Sequence, residues 1–284
     1  MATLGLLSRE FPSDSLNSNL EAIAATGAKA VQFDLASAVG DTFPTEVSEA
    51  TLQAINGGFS DRQLTLAALS GTYNMIDPDP QARAVGAEGL TRVIAWAPRL
   101  RTEVVTLCTG SRDPNSMWRR HPDNDTSEAW ADLLVQIEKA VRVAEECGVT
   151  LGVEPEIGNT INSVHKARRL LDEVKSPHLK IVMDGANIFQ RGQLSQMRAV
   201  LDEAFELLGP DIVLAHAKDL DKDGEAGHVA AGRGRLDYPY YMELMQKSGF
   251  GGSIILHALK PGEAEDRLTF VRSIAPAGWL IQAS

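Results

Sequence analysis

Cysteine is scarce in this chain. Cys108 and Cys147 are the two present in 284 residues, too few for a disulfide framework at this length. Positive charge is also short: 27 Lys and Arg against 38 Asp and Glu leave a formal net charge of −11. That balance disfavours nucleic acid, which rewards a basic face through counterion release, and it disfavours an anionic membrane surface. No apolar run approaches the roughly 18 residues of a membrane-spanning helix. The opening stretch MATLGLLSREFPSD has no basic leader and is interrupted by Arg9 and Glu10, so it does not read as a signal peptide. A soluble cytoplasmic protein is expected. Low-complexity tracts, linkers and charge blocks are missing as well, so residues 1–284 are expected to form a single domain. With 44% hydrophobic residues, the chain can bury an ample core.

What is present is an alternation. Short β-branched or apolar runs fall at residues 3–7, 30–35, 64–69, 104–108, 150–154, 180–184, 212–216 and 253–257, each followed by a helical pattern. The clearest helix, 128–147, sets Trp130, Leu134, Ile137, Val141 and Ala144 on one face, with Asp125 and Glu128 suited to its start and Gly148 to its stop. Further helices are expected from about Asn162 to Val174, over about 195–208, and after Asp237, where Pro239 fits a first turn. Eight strand–helix units predict a parallel sheet covered by helices, and that number points to a closed (β/α)8 TIM barrel. A doubly wound open sheet would use fewer units and often a Gly-rich first turn, whereas the first strand here leads into LLSREFPSD.

In such a barrel the reactive residues stand where the strands end. Four consecutive apolar runs stop at Glu154, Asp184, His216 and His257, separated by 30, 32 and 41 residues. Singly, each could be a capped strand end or a rim ion pair. Jointly, two carboxylates and two imidazoles at successive strand ends predict convergence on one divalent cation.

The strings GVEPE, VMDGAN, LAHAKD and GRGRLD, in this order and spacing, resemble those of the xylose-isomerase-like barrels, the sugar phosphate isomerases and epimerases. That superfamily also holds tagatose-type ketose epimerases, inosose dehydratases, hydroxypyruvate isomerases and the endonuclease IV group. The resemblance implies one divalent metal held by Glu154, Asp184 and His216. The family's last metal-binding glutamate falls on His257, and its Asp-x-x-His reads Asp184-Gly185-Ala186-Asn187. Two carboxylates and two imidazoles would formally neutralise a dication and favour manganese, cobalt, zinc or iron over magnesium. The implied activity is isomerisation or epimerisation of a sugar or related polyol ketone through an enediolate, with Glu154 and His257 moving the proton. A lyase or dehydratase acting on a 3-oxo-glycoside or inosose at the same site is the alternative, as is a non-catalytic sugar-binding relative. The net charge opposes the endonuclease reading. Dimers or tetramers are common in the family, so the resemblance is compatible with a homo-oligomer.

Two long segments, 109–125 and 217–237, are expected to overhang the site. Trp118 is a candidate for stacking on a sugar, Asn187 for bonding a hydroxyl, and Lys218 for binding substrate or, with Asp219, orienting His216. Arg233 lies between Gly232 and Gly234, and the family's Gly-Arg-Gly segment lies beside the substrate. Tyr73, with Gln32, Asp34 and Asn74, stands at or just past an early strand end and is expected to face substrate hydroxyls. Arg119 and Arg120 read as ion-paired surface groups, and Cys108 as a buried, inert thiol.

Overall fold

The computed structural model describes residues 1–281. The strands are β1 (Thr3–Leu7), β2 (Ala30–Phe33), β3 (Thr65–Ser70), β4 (Val104–Cys108), β5 (Thr150–Glu154), β6 (Leu179–Asp184), β7 (Ile212–Asp219), β8 (Val229–Ala230) and β9 (Ser253–Leu256). All but β8 pair in parallel around a closed ring. β9 sits between β1 and β7, and β6 pairs with β7 to complete the circuit. The eight expected barrel strands are all present, and the fold is a (β/α)8 barrel. β7 runs three residues past His216, because its end turns back through β8 in a short antiparallel ladder, Lys218 opposite Ala230 and Asp219 opposite Val229.

Helices α1 (Leu16–Ala25), α2 (Ala36–Val39), α3 (Glu49–Asp61), α4 (Pro80–Trp96), α5 (Ser127–Cys147), α6 (Val164–Val174), α7 (Met197–Leu208), α8 (Tyr238–Lys247) and α9 (Ala264–Ile274) wrap the ring. Their apolar faces share one large core with the outer faces of the strands. Two expected caps move by one residue. Thr126, not Asp125, caps α5, accepting from the Ala129 amide; Asp125 is taken up by Arg120 and Lys166. Ser163, not Asn162, caps α6. On α5, Leu133 is fully buried while Leu134 is only half-buried. Asp237 caps α8 as expected, and Gly148 stops α5 at φ 66°.

Inside the ring a small second cluster, Ala30, Ala68, Val182, Leu214 and Ile255, fills the barrel. Strand side chains alternate faces, so the residue two positions onward points the same way. Gln32, Asp184, His216 and His257 therefore stand one layer above Ala30, Val182, Leu214 and Ile255. This apolar plug forms the floor on which the polar layer rests, and the register aligns Asp184 with His216 across neighbouring strands.

Candidate functional site

Glu154, Asp184, His216 and His257 converge. Each offers one ligand-type atom, and those atoms all lie within 4.8 Å of one another. His216 Nδ1 is 3.3 Å from Glu154 Oε2, and His257 Nε2 is 3.6 Å from Asp184 Oδ2. The two imidazoles meet edge to face with centroids 4.7 Å apart. Seven buried side-chain nitrogen or oxygen atoms lack a hydrogen-bond partner among the described residues. Asp184 Oδ2, His216 Nδ1 and His257 Nε2 are three of them. Buried polar atoms are normally satisfied, so three unsatisfied ones facing a common point are what a cation would resolve. Ligands with bonds of about 2.1 Å sit about 3 to 3.5 Å apart, close to the His216–Glu154 and His257–Asp184 separations. The donor set fits a divalent cation.

Lys218, which is buried, already contributes one positive charge. Its ammonium is 3.3 Å from Asp184 Oδ2, 3.8 Å from Glu154 Oε1 and 4.0 Å from Glu156 Oε2. The Asp184 contact is ionic rather than a well-aligned hydrogen bond, so Oδ2 still counts as unsatisfied. Burial alone would lower the lysine, yet the three carboxylates outweigh it and hold the amine well above its ordinary value. Burial likewise works against ionised Glu154 and Asp184, but the surrounding positive groups, Lys218 above all for Asp184, keep both below the usual carboxylate range. His257 is pushed down to about 4, chiefly by desolvation and then by the Lys218 charge, so its ring is neutral at pH 7 with a free lone pair. Glu156 goes the other way: desolvation raises it to about 7 against the pull of Lys218.

The cluster opens into a cavity of about 540 Å³. Its other wall carries Gln32, Asp34, Thr42, Ser70, Thr72, Thr106 and Cys108. Trp118 stands at this cavity with 53% of its surface exposed. Its segment is stapled by Asn159, which accepts from the Gly110 amide and donates to the Met117 carbonyl.

Three expected substrate contacts are placed otherwise. Asn187 is buried with both amide ends engaged: Nδ2 donates to Glu154 Oε1 at 2.7 Å and Oδ1 accepts from the Gly227 amide at 3.1 Å. It orients a cluster carboxylate rather than facing the cavity. Tyr73 is buried beneath the rim and its hydroxyl donates to Gln136 of α5 at 2.9 Å. Arg233 lies outside this cavity, in a separate one of about 660 Å³ with Lys260 and Glu263, and pairs with Glu263 and Asp266. The reason is Asp219. Its carboxylate accepts from the amides of Leu220, Gly232, Gly234 and Leu236, wrapping the Gly-Arg-Gly turn around itself. A Cβ on Gly234 would come within 2.3 Å of the Leu220 carbonyl oxygen, so this close approach requires glycine. Asp219 thus shapes the turn instead of orienting His216.

Two further residues matter: Glu10, which carries no signal in the chain, and Gln32, which was expected to face substrate hydroxyls and lines the cavity. Glu10 accepts the Ala258 amide at 2.5 Å, bridging the first strand–helix turn to the residue after His257, where Ala258 has φ 60°. Desolvation raises Glu10 to about 7, against two backbone hydrogen bonds and the charge of Lys218. Gln32 contacts His216 from the far wall; its polar side chain in the run AVQFD was the available hint.

The model of the xylose isomerase-like TIM barrel family matches residues 20–274, and the chain belongs to that family. A search of curated proteins finds no significant match. Similar solved structures include 3-keto-D-glucoside 4-epimerase from E. coli, 17% identical with TM-score 0.71, covering 96% of this chain and 100% of that one. The probable 3-DHS dehydratase of petrobactin synthesis from Bacillus anthracis is 14% identical with TM-score 0.73, covering 98% and 100%. A barrel from Mycobacterium smegmatis in complex with magnesium is 15% identical with TM-score 0.69, covering 91% and 87%. At these identities the likeness shows the fold. Among the described residues no helix is long and apolar enough to cross a membrane.

Proposed function

We propose that the protein is a divalent-metal-dependent isomerase or epimerase acting on a sugar or related polyol ketone. The observation that carries this reading is the convergence of Glu154, Asp184, His216 and His257, with three unsatisfied buried atoms, at the bottom of a cavity of about 540 Å³. These four side chains would hold the cation, and two imidazoles among four donors favour manganese, cobalt, zinc or iron over magnesium. When bound, the cation supplies positive charge beside the oxygens of a ketone and its neighbouring hydroxyl, lowering the energy of the carbanion-like state.

The protein's own groups do the rest. Lys218, held ionised by its carboxylates, adds a second positive charge for an oxygen that gains negative charge. His257 either holds the cation through its bare nitrogen or, left off it, accepts a proton, and Glu154 is the ionised carboxylate across the cluster. Glu156, lifted by burial to about 7, is the carboxyl in this cavity best matched to proton exchange near neutrality. Asn187 fixes the Glu154 carboxylate. Trp118 offers an apolar face at the mouth, suited to the C–H face of a sugar ring. The similarity to an epimerase of 3-keto-D-glucosides supports a ketone substrate.

The test is deuterium exchange. Protein supplied with Mn²⁺ or Co²⁺ is incubated in D₂O with ketoses and 3-keto-glucosides, and the carbon beside the carbonyl is followed by NMR. Cation-dependent exchange, abolished by chelation and in Glu154→Gln, is expected. Binding without any exchange across the panel would overturn the catalytic reading. Exchange accompanied by an unsaturated ketone absorbing in the ultraviolet would assign the lyase reaction instead.

A further inference from the structure

His216 has two ring nitrogens with different partners, and the difference is set from across the barrel. Nε2 lies 2.8 Å from Oε1 of Gln32 on β2. Nδ1 lies 3.3 Å from Glu154 Oε2 and is one of the buried atoms without a hydrogen-bond partner. A neutral imidazole carries one proton. Left to itself, the ring gains by placing that proton on Nδ1, where it would form a charge-assisted bond to the Glu154 carboxylate. That tautomer has no lone pair left for a cation.

Gln32 opposes it. The Gln32 amide nitrogen donates to Ser70 Oγ of β3 at 3.2 Å and to Thr106 Oγ1 of β4 at 3.1 Å. Thr106 in turn directs its hydroxyl at the Leu69 carbonyl, so its oxygen is free to accept. With both amide hydrogens used, the Gln32 oxygen is the end turned toward His216, and an amide oxygen can only accept. Nε2 must then carry a proton, and in the neutral ring Nδ1 keeps its lone pair facing the cluster.

We infer that Gln32 is a positioning residue that selects the Nε2–H tautomer of His216 and so prepares Nδ1 as a cation ligand. The inference rests on the metal reading above for its purpose, but not for its detection. Removal of such a partner from a metal-binding histidine typically weakens metal affinity 10- to 100-fold.

Two measurements on the full chain test it. The first is the ¹H–¹⁵N long-range correlation spectrum of the metal-free protein with ¹⁵N-labelled histidine, His216 being assigned by its loss in His216→Gln. The wild type should show a protonated Nε2 and a bare Nδ1. Gln32→Leu should move the proton to Nδ1, and Gln32→Glu, which keeps an acceptor, should restore the wild-type pattern. The second is calorimetric titration with CoCl₂. Gln32→Leu should bind about 10- to 100-fold more weakly at unchanged thermal midpoint, with Gln32→Glu recovering most of the loss. A neutral wild-type ring protonated on Nδ1 alone, or a Gln32→Leu spectrum identical to wild type, would overturn the inference. If the wild type takes up no Co²⁺, the metal reading fails, and the tautomer comparison still decides the role of Gln32.

Discussion

The cavity has two unlike walls. The side built from β5, β6, β7 and β9 is ionic: Glu154, Glu156, Asp184, His216, Lys218 and His257 crowd it. The side built from β2 to β4 is mostly neutral, with Gln32, Ser70, Thr72, Thr106 and Cys108, and its Asp34 carboxylate pairs with Arg9 at 3.4 Å. Both walls rest on the same apolar floor and both are buried, so burial alone does not explain the asymmetry. Charges taken out of water need partners, and the ionic wall supplies them internally: Lys218 serves three carboxylates at once. The neutral wall needs no such balance, so its hydroxyls and amide can be arranged to direct hydrogen bonds. One wall therefore handles charge while the other handles orientation.

The division can be broken by substitution. The largest effect is expected from Asp184→Asn, which removes a donor atom and leaves Lys218 short of its nearest partner. Mn²⁺ uptake in equilibrium dialysis should fall by on the order of 10³, in line with the several kcal/mol lost on breaking a buried charged cluster. Thr72→Val, on the neutral wall, should stay within about threefold of wild type. Comparable losses from both would erase the distinction between the walls. A smaller effect of opposite sign is expected from Lys218→Met. Removing a competing positive charge 3.3 Å from a cluster carboxylate should tighten Mn²⁺ binding by about tenfold while lowering turnover. Weaker cation binding in this variant would show that the ammonium assists the cluster instead of competing with a metal.

The smallest effect concerns Glu10, at the seam between the walls. Its carboxyl is raised from 4.5 to about 7, mainly by desolvation. The folded protein thus holds this proton more tightly than the unfolded chain does. The associated stability is complete below the unfolded value of 4.5 and is lost as pH rises through about 7. Glu10→Gln has no proton to lose. Between pH 5 and pH 8 the wild type should therefore fall relative to Glu10→Gln by about 1–3 kcal/mol in urea unfolding. A pH-independent difference would mean that Glu10 is not desolvated as described.

The barrel and its four converging residues were legible because each is a local pattern: an apolar run, then one ionisable side chain, repeated at similar intervals. Their meeting follows from topology once the ring closes. The roles of Gln32, Asp219 and Glu10 were hidden for the opposite reason. Gln32 works on a histidine 184 positions away, and Glu10 on an amide 248 positions away. Arg233 and Asn187 show a further limit. Residue type and neighbouring glycines suggested ligand contact, but the Asp219 carboxylate and the Glu154 carboxylate had prior claims on the turn and the amide. Which polar groups are already occupied is decided by packing between distant segments.

Because β9 inserts between β1 and β7, the ring closes only when the last of its strands in chain order is in place. Without β9 the sheet has two open edges, the cluster has three of its four residues, and Glu10 has no Ala258 amide to accept. Closing the ring and completing the four-donor cluster are thus a single event, since both need β9 and the residue that follows it.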